Sequence, residues 1–211
     1  MGQKVNPKGA RLGILYTWDS RWFAARGKKY KEFLLEDVKI RKVLMEKLRP
    51  AGISRVEIER SINKIDITLH VSRPGVVIGR GGAGLEEVKK FVGGLLLKTS
   101  SKTKIEIKVE PIKEPNLDAY LVAVMIADQL AKRLPQRRVV GAAIEKVMTA
   151  RAKGVKIVLS GRIGGADISR RETYKSGSIP LSTLREDIDF ARFPSLTRSG
   201  YVGVKVWICK S

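Results

Sequence analysis

Apolar residues along the 211-residue chain change period several times, and each change marks an element. Between residues 34 and 48, Ile40, Val43, Leu44 and Leu48 fall at helical spacing and RPAG (49–52) closes the run, so a helix is predicted there. Val56 and Ile58 then alternate with Arg55, Glu57 and Arg60. After a turn near Asn63, Ile65, Ile67, Leu69 and Val71 alternate with Asp66, Thr68 and His70. Two such runs predict an antiparallel hairpin with one wet face, on which His70 is a solvated strand residue. Leu85, Val88, Val92, Leu95 and Leu96 return to helical spacing until KTSS (98–101), and Ile105, Ile107 and Val109 alternate until Pro111. Lys102, Lys104 and Lys108 are expected to keep the outer face of that strand positive.

Residues 111–115 read as a linker. Asn116 is the expected N-cap of a helix carrying Leu117, Leu121, Val124, Met125, Ile126 and Leu130, which Pro135 ends. A second helix follows with Val140, Ala143, Ile144, Val147 and Met148 facing inward. Val155, Ile157 and Leu159, then Leu184, Ile188 and Phe190, then Val202, Val204, Val206 and Ile208 mark strands. Lys205 and Trp207 point to the opposite face, open to an RNA or protein partner. The fold class is therefore α+β: one unit over 31–110, and a second over 116–211 with two helices on a roughly four-stranded sheet. Residues 1–30 show no clear period and read as a separate arm.

Charge turns this fold into a statement about partners. The chain carries 42 Lys and Arg against 21 Asp and Glu, a net charge of +21. Self-repulsion of that size is tolerable when a polyanion neutralises it, so nucleic acid leads. An anionic membrane ranks second, but no basic amphipathic helix stands apart, and no apolar run reaches membrane-spanning length. The first residues are polar and basic, so no secretory leader is expected. The single cysteine, Cys209, excludes an internal disulfide and fits a reducing compartment, cytoplasm or organelle, as a packed thiol. In the arm, Lys4, Lys8, Arg11 and Arg21 are expected on RNA phosphates, with Trp18 and Trp22 on bases or in a neighbouring groove. Between residues 132 and 156, Lys132, Arg133, Arg137, Arg138 and Lys146 belong to a set of eight cations facing one acid, Glu145. That imbalance favours phosphate contact.

The run RPGVVIGRGG (73–82) carries the candidate chemistry. Glycines there let backbone approach a phosphate chain closely, and Arg80 adds a cation at the tip. Gly79-x-Gly81-x-x-Gly84, with Glu106 downstream, also fits a dinucleotide fingerprint, but that site needs a strand leading directly into the loop. Only Val76, Val77 and Ile78 precede it, after Pro74. Read as Gly79-Arg80-Gly81-Gly82, it is the GxxG loop of a KH domain, which clamps single-stranded nucleic acid. Helix, strand, strand, glycine loop, helix, strand matches the type II KH order, α-β-β-α-α-β in full.

Catalytic chemistry finds little support. Asp187 and Asp189 could share a strand face at the start of a metal-dependent nuclease site, but no second acid cluster or helical histidine pair accompanies them, and a solvated or ion-paired face is the simpler reading. No Walker loop occurs. No catalytic residue, metal or cofactor is expected, and the chain is read as a non-enzyme. The rival classes are an NAD-dependent oxidoreductase and a free-standing KH regulator or nuclease.

MGQKVNPKGARLGI at the start, RPGVVIGRGG, PNLDAYLVA (115–123), SGRIGGADISR (160–170) and YVGVKVWI (201–208) together resemble the bacterial-type ribosomal protein S-three family, across nearly the whole chain. The resemblance implies a type II KH domain and a C-terminal α+β domain in the head of the small ribosomal subunit, bound to its ribosomal RNA. It further implies a place at the mRNA entry pore, where the family positions and unwinds message. Proteins S-two, S-ten and S-fourteen would be neighbours, with S-four and S-five across the pore. Arg137 and Arg138 match two of the family's unwinding positions. The third, usually lysine, is Gly141 here, with Lys132, Arg133 and Lys146 nearby to compensate. The chain as given ends at Ser211, short of the charged tail many relatives carry, so that tail's role is expected to be absent or supplied by a partner.

Overall fold

The computed structural model describes residues 4–61, 64–96 and 104–210; the turn expected at Asn63, the helix end expected at 98–101, and Lys102 lie outside them. The chain forms two compact units, one of residues 18–113 and one joining the segment up to Thr17 with 114–211. The boundary falls inside the expected linker. The expected arm is divided between the units: its first part carries a short helix α1 (Pro7–Ala10) in the second unit, and its later part begins the first.

In the first unit, a two-residue strand β1 (Ser20–Arg21) leads to helix α2 (Gly27–Lys47), which starts seven residues earlier than expected. The early turns went unread because they bury little: α2 hides Asp37, Ile40 and Leu44, so its inward stripe begins with an acid. Strands β2 (Ile53–Arg60) and β3 (Lys64–Val71) form the antiparallel hairpin, Ile58 opposite Ile67. From β3 the chain crosses through α3 (Pro74–Ile78) and α4 (Ala83–Leu96) to β4 (Lys104–Pro111), which runs parallel to β3. Parallel neighbours require such a crossover. Ile40, Leu44, Val77, Val88 and Val92 from the helices pack on Val56, Ile58, Ile65, Ile67, Leu69 and Val71 from the sheet. The opposite face is not a positive surface as expected. Lys64 bonds Asp66 at 3.0 Å and Glu106 at 2.9 Å, Lys104 bonds Glu106 at 3.0 Å, and His70 lies between Glu57 at 3.2 Å and Glu110 at 3.5 Å. Its charges are largely spent on one another.

In the second unit, helices α5 (Ala119–Ala131) and α6 (Gln136–Thr149) cover one face of an antiparallel sheet ordered β6-β5-β8-β7. Its strands are β5 (Gly154–Gly161), β6 (Arg170–Gly177), β7 (Ile188–Thr197) and β8 (Gly200–Cys209). The N-cap of α5 is Asp118, whose carboxylate accepts from Tyr120 N at 2.9 Å and Leu121 N at 3.1 Å, and not Asn116, which sits in the preceding 3-10 turn. An Asp directly before a run of N–H donors is the better cap. Ile126, Val140, Ala143 and Val147 from the helices meet Val155, Ile157, Leu159, Val204, Val206 and Ile208 in the core. Cys209, next after Ile208 on β8 and outside that cluster, is also buried, and burial beside Glu186 pushes its thiol pKa up.

Candidate nucleic-acid interface

The glycine loop joins two helices, not a strand to a helix, because Val76, Val77 and Ile78 are helical. That removes the dinucleotide reading, whose phosphate turn must leave a strand. Its glycines divide into two pairs. A Cβ on Gly84 would meet the Val77 carbonyl oxygen at 2.7 Å, and one on Gly79 would meet Gly84 N at 3.0 Å, so these two hold α3 against α4. Gly81 and Gly82 have φ of +60° and +84° and open space where a Cβ would stand. With Arg80, also exposed, they form the outward tip ahead of α4. A backbone free of side chains, at positive φ, can lie close against a phosphodiester chain.

The second concentration of charge lies between α5 and α6. Lys132 caps the C-terminus of α5, and Arg133 follows at φ +61°, a left-handed conformation rare outside glycine. Arg137 and Arg138 occupy the first turn of α6, which has no side-chain cap and no acid, so charge and helix dipole have the same sign there. Lys132, Arg133, Arg137, Arg138 and Lys146 are all exposed. Arg138, Ala142 and Lys146, spaced four apart, share one outer stripe of α6. Between them, a Cβ on Gly141 would meet nothing within 4 Å.

A third surface is the sheet face away from the helices. The pairing sets Lys156 beside Lys175 and Trp207, and Arg192 beside Lys205. The Trp207 ring lies 5.0 Å from Phe190 and 5.3 Å from the Lys156 ammonium, and Tyr201 is exposed. Lys205 and Trp207 were legible from strand alternation. Arg171 and Lys175 were not, because β6 (RRETYKSG) has no aliphatic residue to betray its period, and Arg192 was not, because its neighbours on β7 put Asp189 and Ser195 in inward positions.

The arm residues have a different fate. Arg11 is 1% exposed, and its guanidinium donates to the carbonyls of Pro7 (3.1 Å), Leu181 (3.3 Å), Thr183 (3.0 Å) and Glu186 (2.8 Å). It is a structural pin in the second unit, not a phosphate-facing cation. Lys8 pairs with Asp189 at 2.7 Å. Arg21 bonds Glu59 at 3.0 Å and Glu57 at 3.4 Å. Trp22, half-buried, donates to Asp37 at 2.7 Å and meets Tyr30 at a tilt and Phe33 edge-on, so its indole is committed to the first unit's own packing. Lys4 and Trp18 are exposed. Asp37 itself is fully buried, accepting also from Ser20 Oγ at 2.9 Å and from Arg60 at 2.9 and 2.6 Å.

The acids of the second unit are equally committed. Burial raises the pKa of Asp189, but the Lys8 charge and the Ala119 N–H, 2.9 Å away, outweigh it, and the carboxyl sits below its ordinary range. Asp187 accepts from the Tyr16 hydroxyl, whose own pKa is driven up by burial and by that bond. Among the described residues, no three His, Cys, Asp or Glu side chains gather as a metal site, and no helix is long and apolar enough to cross a membrane.

A helix-flanked GxxG turn on a KH sheet of β2, β3 and β4 edged by the two-residue β1, joined to an α+β unit with cations massed on one helix end and one sheet face, defines a two-unit RNA-binding protein. The KH domain profile matches residues 39–117, and that of "Ribosomal protein S3, C-terminal domain" matches 126–208. The small ribosomal subunit protein uS3 of Caldicellulosiruptor saccharolyticus is 50% identical over 210 residues, covering 100% of this chain and 92% of the relative. That of Clostridioides difficile is 46% identical over 209 residues (99% and 75%), and that of Myxococcus xanthus 44% over 210 (100% and 92%). The chain belongs to the ribosomal protein uS3 family. It is a ribosomal protein and not an enzyme.

Proposed function

We propose that the chain is built into the head of the small ribosomal subunit, holds its ribosomal RNA, and contacts message at the entry pore. The observation that carries this reading is the exposed pair Arg137–Arg138 on an uncapped, acid-free helix N-terminus, with Lys132 and Arg133 alongside. Single-stranded RNA passing that point meets a cation set that grips phosphates without reading bases. Pulling a duplex past such a grip favours the separated strands, since the held strand is the one whose phosphates are neutralised.

The GxxG tip (Gly79, Arg80, Gly81, Gly82) supplies a separate backbone contact, and Lys4 and Trp18 add exposed arm contacts. The basic aromatic sheet face suits a further partner. Neighbouring proteins under this reading are S-two, S-ten and S-fourteen, with S-four and S-five across the pore.

Small subunits assembled with Arg137→Glu and Arg138→Glu test the message contact. They are expected to translate an unstructured message normally and to slow severalfold on one carrying a stable hairpin. An unchanged ratio between the two messages would remove the helix from the message path.

A further inference from the structure

The second unit contains a cleft of about 460 Å³ that shares Arg133 with the cation set described above and is otherwise lined by residues not yet given a role. That lies in the range, roughly 300–1,000 Å³, of pockets that hold small ligands. Three arginines line it: Arg133 from the α5–α6 connection, Arg162 after β5, and Arg198 at the β7–β8 turn. No Asp or Glu lines it. Pro135 and Gln136, the N-cap and first residue of α6, form one wall, so the positive end of that helix adds to the arginines. Gly164 and Gly165 form another wall at φ of +69° and +83°, and the absence of side chains keeps it low. Arg162 is steadied by its Nε on the Ala166 carbonyl at 2.8 Å and by Asp167 at 3.3 Å. Leu130, Leu134, Ile163 and Val202 give the cleft an apolar side.

Three guanidinium groups on a helix N-terminus suit a phosphate, which takes bidentate bonds from Arg. A neighbouring apolar wall suits the flat face of a base or the edge of a ribose. We propose that this cleft is a nucleotide-binding site that seats one phosphate-bearing nucleotide unit, its phosphate held by Arg133, Arg162 and Arg198. The inference rests on the RNA-binding reading for its favoured source, a nucleotide within a single strand; a free nucleotide has the same chemistry.

Amide resonances of the isotopically labelled full chain, titrated separately with a 5′-phosphorylated uridine tetranucleotide, with UMP and with inorganic phosphate, test it. The Gly164 and Gly165 amides are expected to shift with the tetranucleotide. Arg162→Ala with Arg198→Ala should weaken its binding about tenfold, and Arg198→Ala alone about threefold. A control pair of exposed cations on α2, Lys39→Ala with Lys42→Ala, should change it less than about twofold. Tight RNA binding with both glycine amides unmoved overturns the site and leaves RNA binding standing. No RNA binding at all overturns both. Saturation by UMP but not by the tetranucleotide keeps the site and makes its occupant a free nucleotide. Inorganic phosphate acting as well as UMP removes the base and overturns the nucleotide assignment.

Discussion

Arginines of one formal charge perform opposite tasks in this chain, and only their surroundings tell them apart. Arg11 and Arg60 are buried and donate inward; Arg137 and Arg138 are exposed on a helix end. Arg11→Ala leaves four carbonyls short of a donor, and thermal or denaturant unfolding should show a loss of about 2–4 kcal/mol. Its RNA affinity, once folded, should be unchanged; a weakened RNA complex with unaltered stability would reverse the assignment. Asp37→Ala takes the acceptor from Ser20, Trp22 and Arg60 and leaves Arg60 only Glu36 as an ion-pair partner, and should cost about 1–3 kcal/mol in the same measurement. Acid reports on Asp189. Because its carboxyl is held below the ordinary range, the stability from its bonds to Lys8 and Ala119 is in place above the unfolded-state pKa of about 3.9. It is lost as pH falls through the lower folded value. Asp189→Asn should therefore be less stable than the parent at neutral pH and converge on it in acid, as circular dichroism melts at stepped pH will show. None of these buried polar roles could be read from sequence. A buried Arg or Asp looks like any other charge until the carbonyls and amides that enclose it are known.

At the scale of elements, legibility followed the aliphatic residues. The β2–β3 hairpin, α4, α5, α6, β5 and β8 each carry an unbroken apolar period, and each was found. What escaped had polar residues in inward positions. In β7 the helix-facing positions are Asp189, Ala191, Phe193 and Ser195, and the strand spans Ile188–Thr197, so that Leu184, expected in it, lies outside. Pro194 survives there because β7 is an edge strand. The GxxG motif was legible as a loop; which glycines serve packing and which face outward needed coordinates. Gly84→Ala should destabilise the first unit strongly, since its methyl meets a carbonyl at 2.7 Å, whereas Gly81→Ala, with open space but a φ of +60°, should cost only about 1 kcal/mol of folding and weaken binding to single-stranded RNA. Equal effects on melting temperature would undo that division. On α6, Gly141→Lys should stabilise by up to about 1 kcal/mol, because glycine is a poor helix residue. It should also raise the hairpin-message rate of assembled subunits.

For the whole molecule, the surplus of +21 dictates how binding responds to salt. Many Lys and Arg contacts release many counterions, so RNA affinity should fall roughly a thousandfold or more between about 50 and 200 mM monovalent salt. Filter binding across that range measures it, and a flat response would mean that the cations serve something other than RNA. The order of the units along the chain has its own outcome. Residues 18–113 interrupt the sequence of the other unit, so Arg11 finds the Glu186 carbonyl 175 positions downstream. During synthesis at about 5–20 residues per second, that gap lasts on the order of ten seconds. The early unit can close on itself while the late one waits for its final strands. A chain released before its final strands would therefore carry a first unit able to close and a second whose Arg11 has lost its Leu181, Thr183 and Glu186 acceptors to solvent.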